Sequence, residues 1–167
     1  MITEISDAVI AHVTTAVPAL QAGVKYPDYS GTTLLPAFVL DTNTEFTAAA
    51  DEGAEQFCLT SAWRGYVVYD PALTSSYLQV RELVLSVSQA IYQGGRYGLQ
   101  IGNAKIIRVY EEPMRTELAG RLVWAIDWTH DIRLGSSVWA GSGVLPSEVY
   151  FSFDPDAVPL GSSHTML

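Results

Sequence analysis

The clearest pattern in the chain runs through its middle. Leu73, Tyr77, Val80, Val84, Val87 and Ile91 are spaced alternately four and three residues apart. That spacing lines up apolar side chains along one side of a helix. Asp70 is a natural N-cap and Pro71 a natural first helical residue. Gly94-Gly95 supplies the stop, because glycine tolerates the left-handed conformation of a helix end. The pattern therefore predicts a helix from Asp70 to Gln93. Leu78, Leu85 and Tyr92 form a second apolar row at seven-residue spacing, offset by roughly 100° given about 3.6 residues per turn. A helix apolar on two sides has two packing jobs. The second row is expected to meet either the first helix of its own chain or a neighbouring subunit.

Around this helix the pattern predicts strands. Ile2, Ile5, Val9, Val13 and Ala16 recur at helical spacing, giving a first helix over Thr3–Ala16 with Thr3 as its cap and Pro18 at its end. Gln21–Gly31 reads as a loop, from Gly23, Pro27, Asp28 and Gly31. Thr33–Asp41 reads as a short strand, and Pro36 within it argues for an edge position or a bend. Thr42–Gly53 is polar and small, a loop or a short helix. Ala54–Tyr69 alternates, with Phe57, Leu59, Trp63, Val67 and Tyr69 on one face and Gly65 expected to mark a bulge or bend. A hairpin follows, roughly Asn103–Glu112 and Gly120–Ile132, joined by Pro113–Ala119. In its second strand Leu122, Trp124, Ile126, Trp128, His130 and Ile132 share the core face. Arg121, Val123, Asp127, Thr129, Asp131 and Arg133 share the other. The first hairpin strand is less regular, since Ile106, Ile107, Val109 and Tyr110 fall on both faces.

Beyond Arg133 the character changes. The last 34 residues hold no Lys or Arg, and glycines and serines alternate with Trp139, Val149, Tyr150, Phe151 and Phe153. This is too apolar for a free tail. It reads as an extended arm over 134–167, with Glu148–Phe153 a candidate extra strand, lying on its own domain or on a neighbour. Residues 1–133 form the folded domain. The fold class expected is α+β, α-β-β-α-β-β. It has a mixed or antiparallel sheet of about four strands, helices packed on one face, and the C-terminal arm.

Composition sharpens this picture. Hydrophobic residues make up 49% and charged residues 16% of the 167, against a typical charged share of ~25%. No run approaches the ~20 apolar residues of a membrane span. The excess points to a large core or to surface buried in an assembly. Eighteen acidic against nine basic residues give a net charge of −9, the wrong sign for phosphate neutralisation of nucleic acid. Cys58 is the single cysteine, so no intrachain disulfide framework exists. The N-terminus lacks the order of a secretory signal, so synthesis in the cytoplasm is expected.

Candidate chemistry is sparse. His12, His130 and His164 sit in no zinc-ligand spacing. In Asp127-Trp128-Thr129-His130-Asp131 the two carboxylates point opposite to His130 on a strand, so a packed histidine is expected. Asp51-Glu52 and Glu111-Glu112 are adjacent pairs that face apart. Gly94-Gly95-Arg96-Tyr97-Gly98 follows a helix and Gly141-Ser142-Gly143 lacks the Lys-Ser/Thr of a phosphate loop. Cys58 reads as a small core residue. No catalytic, metal or cofactor site is expected, and the chain is not expected to be an enzyme.

The order of elements resembles the tail terminator and tail-completion proteins of tailed bacteriophages, including the minor tail proteins of Mu-like contractile phages. The features that carry the resemblance are the first helix Ile2–Ala16, the stretch Val67–Gln93 and the strand Leu122–Ile132. The long arm departs from that family's compact pattern. The resemblance implies a structural virion protein at the tail–neck junction, forming a hexameric ring that caps the tail tube and stops its polymerisation. Its implied partners are itself as a homo-hexamer, the tail tube protein, the head–tail connector and, in contractile systems, the sheath. It implies that DNA passes through the ring without specific binding, an acidic channel helping by repulsion. It implies no cofactor and no membrane. The residues expected at subunit or partner interfaces are Leu78, Leu85, Tyr92, Trp139, Tyr150, Phe151 and Phe153. The rival readings are a head–tail connector or neck protein, a small hydrolase or isomerase, and a ligand-binding α+β domain.

Overall fold

The computed structural model describes residues 1–26, 28–50, 56–73, 77–112 and 120–136. The connection Pro113–Ala119 and the arm beyond Ser136, with Trp139, Tyr150, Phe151 and Phe153, lie outside the described residues. The chain runs α1 (Ile2–Ala16), β1 (Ala22–Tyr26), β2 (Ala37–Ala48), β3 (Phe57–Tyr69), a single 3-10 turn (Pro71–Leu73), α2 (Tyr77–Gly94), β4 (Lys105–Glu111) and β5 (Leu122–Leu134). It is an α+β fold. Among the described residues five strands form one mixed sheet in the order β1-β2-β3-β5-β4, with β1 parallel to β2 and every other pair antiparallel.

Both helices lie on the same face of the sheet. Ile5, Val9 and Val13 of α1 and Val80, Val84, Val87 and Ile91 of α2 share one core with Phe38, Trp63, Val67, Ile126, Trp128 and Ile132. At the sheet's centre Trp63 and Trp128 pair directly across β3 and β5 and stack with centroids 6.5 Å apart. The opposite face is divided. Ala37, Val39, Tyr66, Val68, Val123 and Ala125 form a second buried apolar cluster, against which Tyr29 and Leu35 of the β1–β2 connection pack. The other half of that face is charged.

Several expectations need correction. Ala22–Tyr26 is a strand and not loop. Gly23 there is a contact residue: an added Cβ would run into Thr14 and Ile10 of α1, so glycine lets the helix sit against the sheet. Pro36 precedes β2 rather than interrupting it, and β2 lies between β1 and β3, away from the edge. β2 also continues to Ala48, through residues read as loop or short helix, with a register irregularity between Asp41 and Glu45. Gly65 marks neither bulge nor bend, since β3 stays in regular register with β2 and β5 there. Instead the Phe38 ring lies over it, and a Cβ would come 2.5 Å from Phe38 Cε2. Thr3 does not cap α1; the N-cap is Met1, with no side-chain cap bond.

The central helix starts later than its cap suggests. The Ala72 N–H donates to Asp70 Oδ1 at 2.9 Å, and Arg121 pairs with the same carboxylate. Asp70 therefore caps the 3-10 turn and ties it to the start of β5, and α2 proper begins at Tyr77. Tyr77 is 68% exposed and drops out of the buried row; the Leu73 side chain lies outside the described residues. The stop is as expected, with Gly95 at φ +58°. In β4 a bulge between Ile106 and Arg108 shifts the register against β5. That extra residue explains why its apolar positions fall on both faces.

Replacing Gly65 by alanine is expected to lower stability by about 1–3 kcal/mol, because the ring of Phe38 must leave its place in a packed core. Denaturant unfolding checks this, and an unchanged midpoint would remove the close-contact explanation for the glycine.

Candidate functional site

The second row of α2 is on the surface. Leu78, Leu85 and Tyr92 are 65%, 65% and 66% exposed. Of its two expected jobs, packing against α1 is thereby overturned. The reason is geometric. Arg81 lies with its guanidinium carbon 5.9 Å from the Trp124 ring of β5. Leu78 and Leu85 stand three and four residues from Arg81, so they adjoin it on the helix surface. The row thus borders the side of α2 that carries this contact to β5, and β5's other neighbour is β4, the end strand of the sheet.

The outer face of the sheet near that edge carries a network that sequence reading missed. Asp127 Oδ1 accepts from Arg64 Nε at 2.6 Å, and Oδ2 accepts from Arg108 Nε at 2.6 Å and from Arg64 Nη2 at 3.2 Å. Burial alone would raise the Asp127 pKa, but the hydrogen bonds from the two arginines outweigh it and hold the carboxyl below its ordinary range. Two cations share one anion, and Arg108 also lies 4.5 Å from the centroid of the Tyr110 ring. Beside them Lys105 pairs with Asp131 at 2.6 Å, and Thr60 donates to the same carboxylate at 3.1 Å. The Lys105 contact is the main reason the Asp131 pKa is lowered, against burial. Arg64, Arg108 and Asp127 border a depression of 630 Å³ whose lining also includes Asp41, Glu45 and Ile107. The signal was available: Arg64 and Asp127 have matching outward parity on paired strands. What no single strand reveals is the pairing itself.

The carboxylates and His130 do point apart. Asp127 and Asp131 face outward, while His130 is fully buried on the helix side. Its Nδ1–H donates to the Gly102 carbonyl at 2.9 Å. Its Nε2 has no partner among the described residues. Tyr97 stands edge-on to both His12 and His130, at 5.6 Å from each, and its hydroxyl donates to the Ile91 carbonyl. This is a packed aromatic cluster closing the end of α2. Burial lowers the His130 pKa and raises that of Tyr97. Cys58 is buried. Among the described residues no three His, Cys, Asp or Glu side chains gather as metal ligands, and no helix is long and apolar enough to cross a membrane.

No family model matches the chain, and no curated protein matches it. Among solved structures it is similar to a chain of the "Virion of native gene transfer agent (GTA) particle". The identity is 15% and the TM-score 0.46, over 77% of this chain and 84% of that one.

The buried histidine gives a pH signature. A folded pKa below the ordinary 6.5 means that the unfolded chain binds the proton more readily. Stability is then complete above pH 6.5 and falls as the pH drops below it, whereas the paired aspartates act only below their ordinary 3.8. Thermal melts between these limits are expected to show an acid slope that His130→Asn flattens. An equal slope in the variant would contradict this assignment.

Proposed function

We propose that the chain is a structural subunit of a phage-like virion. In this reading it forms a ring, a hexamer as in the family it resembles. The ring caps the tail tube and joins it to the head connector, or to the sheath in a contractile tail. The observation that carries the reading is the row Leu78, Leu85 and Tyr92, apolar and exposed on a regular helix. The one-sided α+β sheet agrees with the architecture that the resemblance implies. Among the described residues the polar clusters are mutual ion pairs, which suits a surface more than a reacting site.

Magnitudes say what such an interface needs. Burying three side chains of this size contributes on the order of 5 kcal/mol. Association costs roughly 4–15 kcal/mol in lost freedom. The row alone therefore does not hold two subunits together, and a second contribution is required. The arm, with Trp139, Tyr150, Phe151 and Phe153, is the segment we assign to it.

The double variant Leu85→Glu/Tyr92→Glu tests the reading. Both positions are exposed, so folding stability is expected to change by no more than about 0.5 kcal/mol per site. Light scattering is expected to find the wild type assembled, alone or on added tail tubes, and the variant monomeric and unbound. The reading is contradicted if the variant assembles like the wild type, or if the wild type stays monomeric and ignores tubes.

A further inference from the structure

Tyr97 is held in a strained backbone conformation. Its φ is +51°, in the left-handed region that a bulky L residue rarely adopts, between Gly95 at +58° and Gly98 at +75°. Such strain persists only where surrounding contacts enforce it. Here the contacts are on the ring. It stands edge-on to His12 of α1 and His130 of β5, at 5.6 Å from each. It packs on the backbone of Gly94, where a Cβ would run into it, and its hydroxyl donates to the Ile91 carbonyl at 3.0 Å. The turn itself is held locally. The Tyr97 N–H donates to the Gly94 carbonyl and the Leu99 N–H to the Arg96 carbonyl, both at 2.8 Å.

The two imidazoles beside this ring share one defect. The Nε2 atoms of His12 and His130 are both buried, with no hydrogen-bond partner among the described residues. For His130 the defect makes a proton costly. Its Nδ1–H already donates to the Gly102 carbonyl, so an added proton must go to Nε2. A charged N–H buried without an acceptor is strongly disfavoured. The elements around it offer no relief. The α2–β4 connection brings the Tyr97 ring and the Gly102 carbonyl, and α1 brings His12 to the other contact of that ring. The Ile91 carbonyl of α2 is taken by Tyr97. β3 opposes His130 with Ser61, whose hydroxyl donates to the His130 carbonyl. Asp131 favours the charge but faces outward and pairs with Lys105, while Arg96 donates to Asn103 at the surface. Water reaches Nε2 once the Tyr97 ring, itself only half-buried, moves aside.

We propose that Tyr97 is an acid-released latch: when His130 takes up a proton, the Tyr97 ring swings out of the core and the turn 95–99 opens, while the sheet stays folded. The proton comes from solvent, binds Nε2 and is hydrated through the opening. Release also relieves the left-handed strain at Tyr97, and the flanking glycines let the turn change its backbone conformation without a clash. The far end of the connection stays anchored. The Gly102 N–H donates to the Asp131 carbonyl at 2.6 Å, and the bond from His130 Nδ1–H to the Gly102 carbonyl strengthens when the ring is charged. The proposal stands apart from the assembly reading, since every group in it belongs to one chain.

Residue-resolved amide hydrogen exchange of the full chain, from neutral pH to about pH 5 and corrected for the intrinsic pH dependence of exchange, tests it. The Tyr97 and Leu99 amides are expected to lose protection as the pH falls below 6.5, the ordinary value from which burial lowers His130. The loss at pH 5 is expected to be at least about five-fold, under a ceiling of about thirty-fold set by proton linkage to a group of that ordinary value. Amides of β3 and β5 are expected to keep their protection, and His130→Asn to abolish the pH effect. Imidazole NMR of the wild type needs no variant. It is expected to show His130 taking up its proton over the same pH interval. Four results would overturn the proposal: Tyr97 and Leu99 protection that does not change with pH, an equal change in His130→Asn, a loss shared equally by β3 and β5, or proton uptake by His130 outside that interval.

Discussion

The contact of Phe38 over Gly65, against the ring of Trp128, is the constraint from which the rest of the structure follows. A side chain at position 65 would hold β2's aromatic ring off the sheet. Without one, Phe38 packs in the same core as the stacked Trp63–Trp128 pair, and the centre of the helix-side core is closed. Because strand side chains alternate, fixing the face of Trp63 and Trp128 fixes the face of every other residue of β3 and β5. His130 must then go inward and Asp127 and Asp131 outward. The core and the outer ion-pair network are two consequences of one register.

The same constraint leaves α2 only partly covered. The helix spends one side on the sheet and turns Leu78, Leu85 and Tyr92 outward. An exposed apolar row is a poor surface for an isolated domain, since it favours association. Four of the nine basic residues, Arg64, Lys105, Arg108 and Arg133, stand on the outer sheet face, in a chain whose net charge is −9. Asp127 and Asp131 stand on the same face and pair with Arg64, Arg108 and Lys105, so its charges largely satisfy one another.

Much of this was legible from residue order because local periodicity and core packing agree. The parity of β5, the buried row Val80–Val84–Val87–Ile91 and the Gly94-Gly95 stop all follow from spacing. What misled was glycine and proline. Gly23 and Gly65 read as turn or bulge residues, yet both serve close approach between layers, which only the tertiary partner reveals. Pro36 reads as an edge signal but stands just outside its strand. Asp70-Pro71 is a true cap, though of a 3-10 turn before the helix. The Arg64–Asp127–Arg108 network was missed because it joins three strands and no segment contains it. The exposure of the α2 row removes α1 as its partner, a point that spacing alone left open.

The central claim, which we propose, is that the outward row of α2 lies between subunits. Electron microscopy of the protein assembled on tail tubes, at a resolution that separates helices from sheets, tests it most directly. The account predicts a closed ring in which the outward row Leu78, Leu85 and Tyr92 of each α2 faces the adjacent subunit. A ring in which that row faces solvent, with the subunits joined elsewhere, would contradict it.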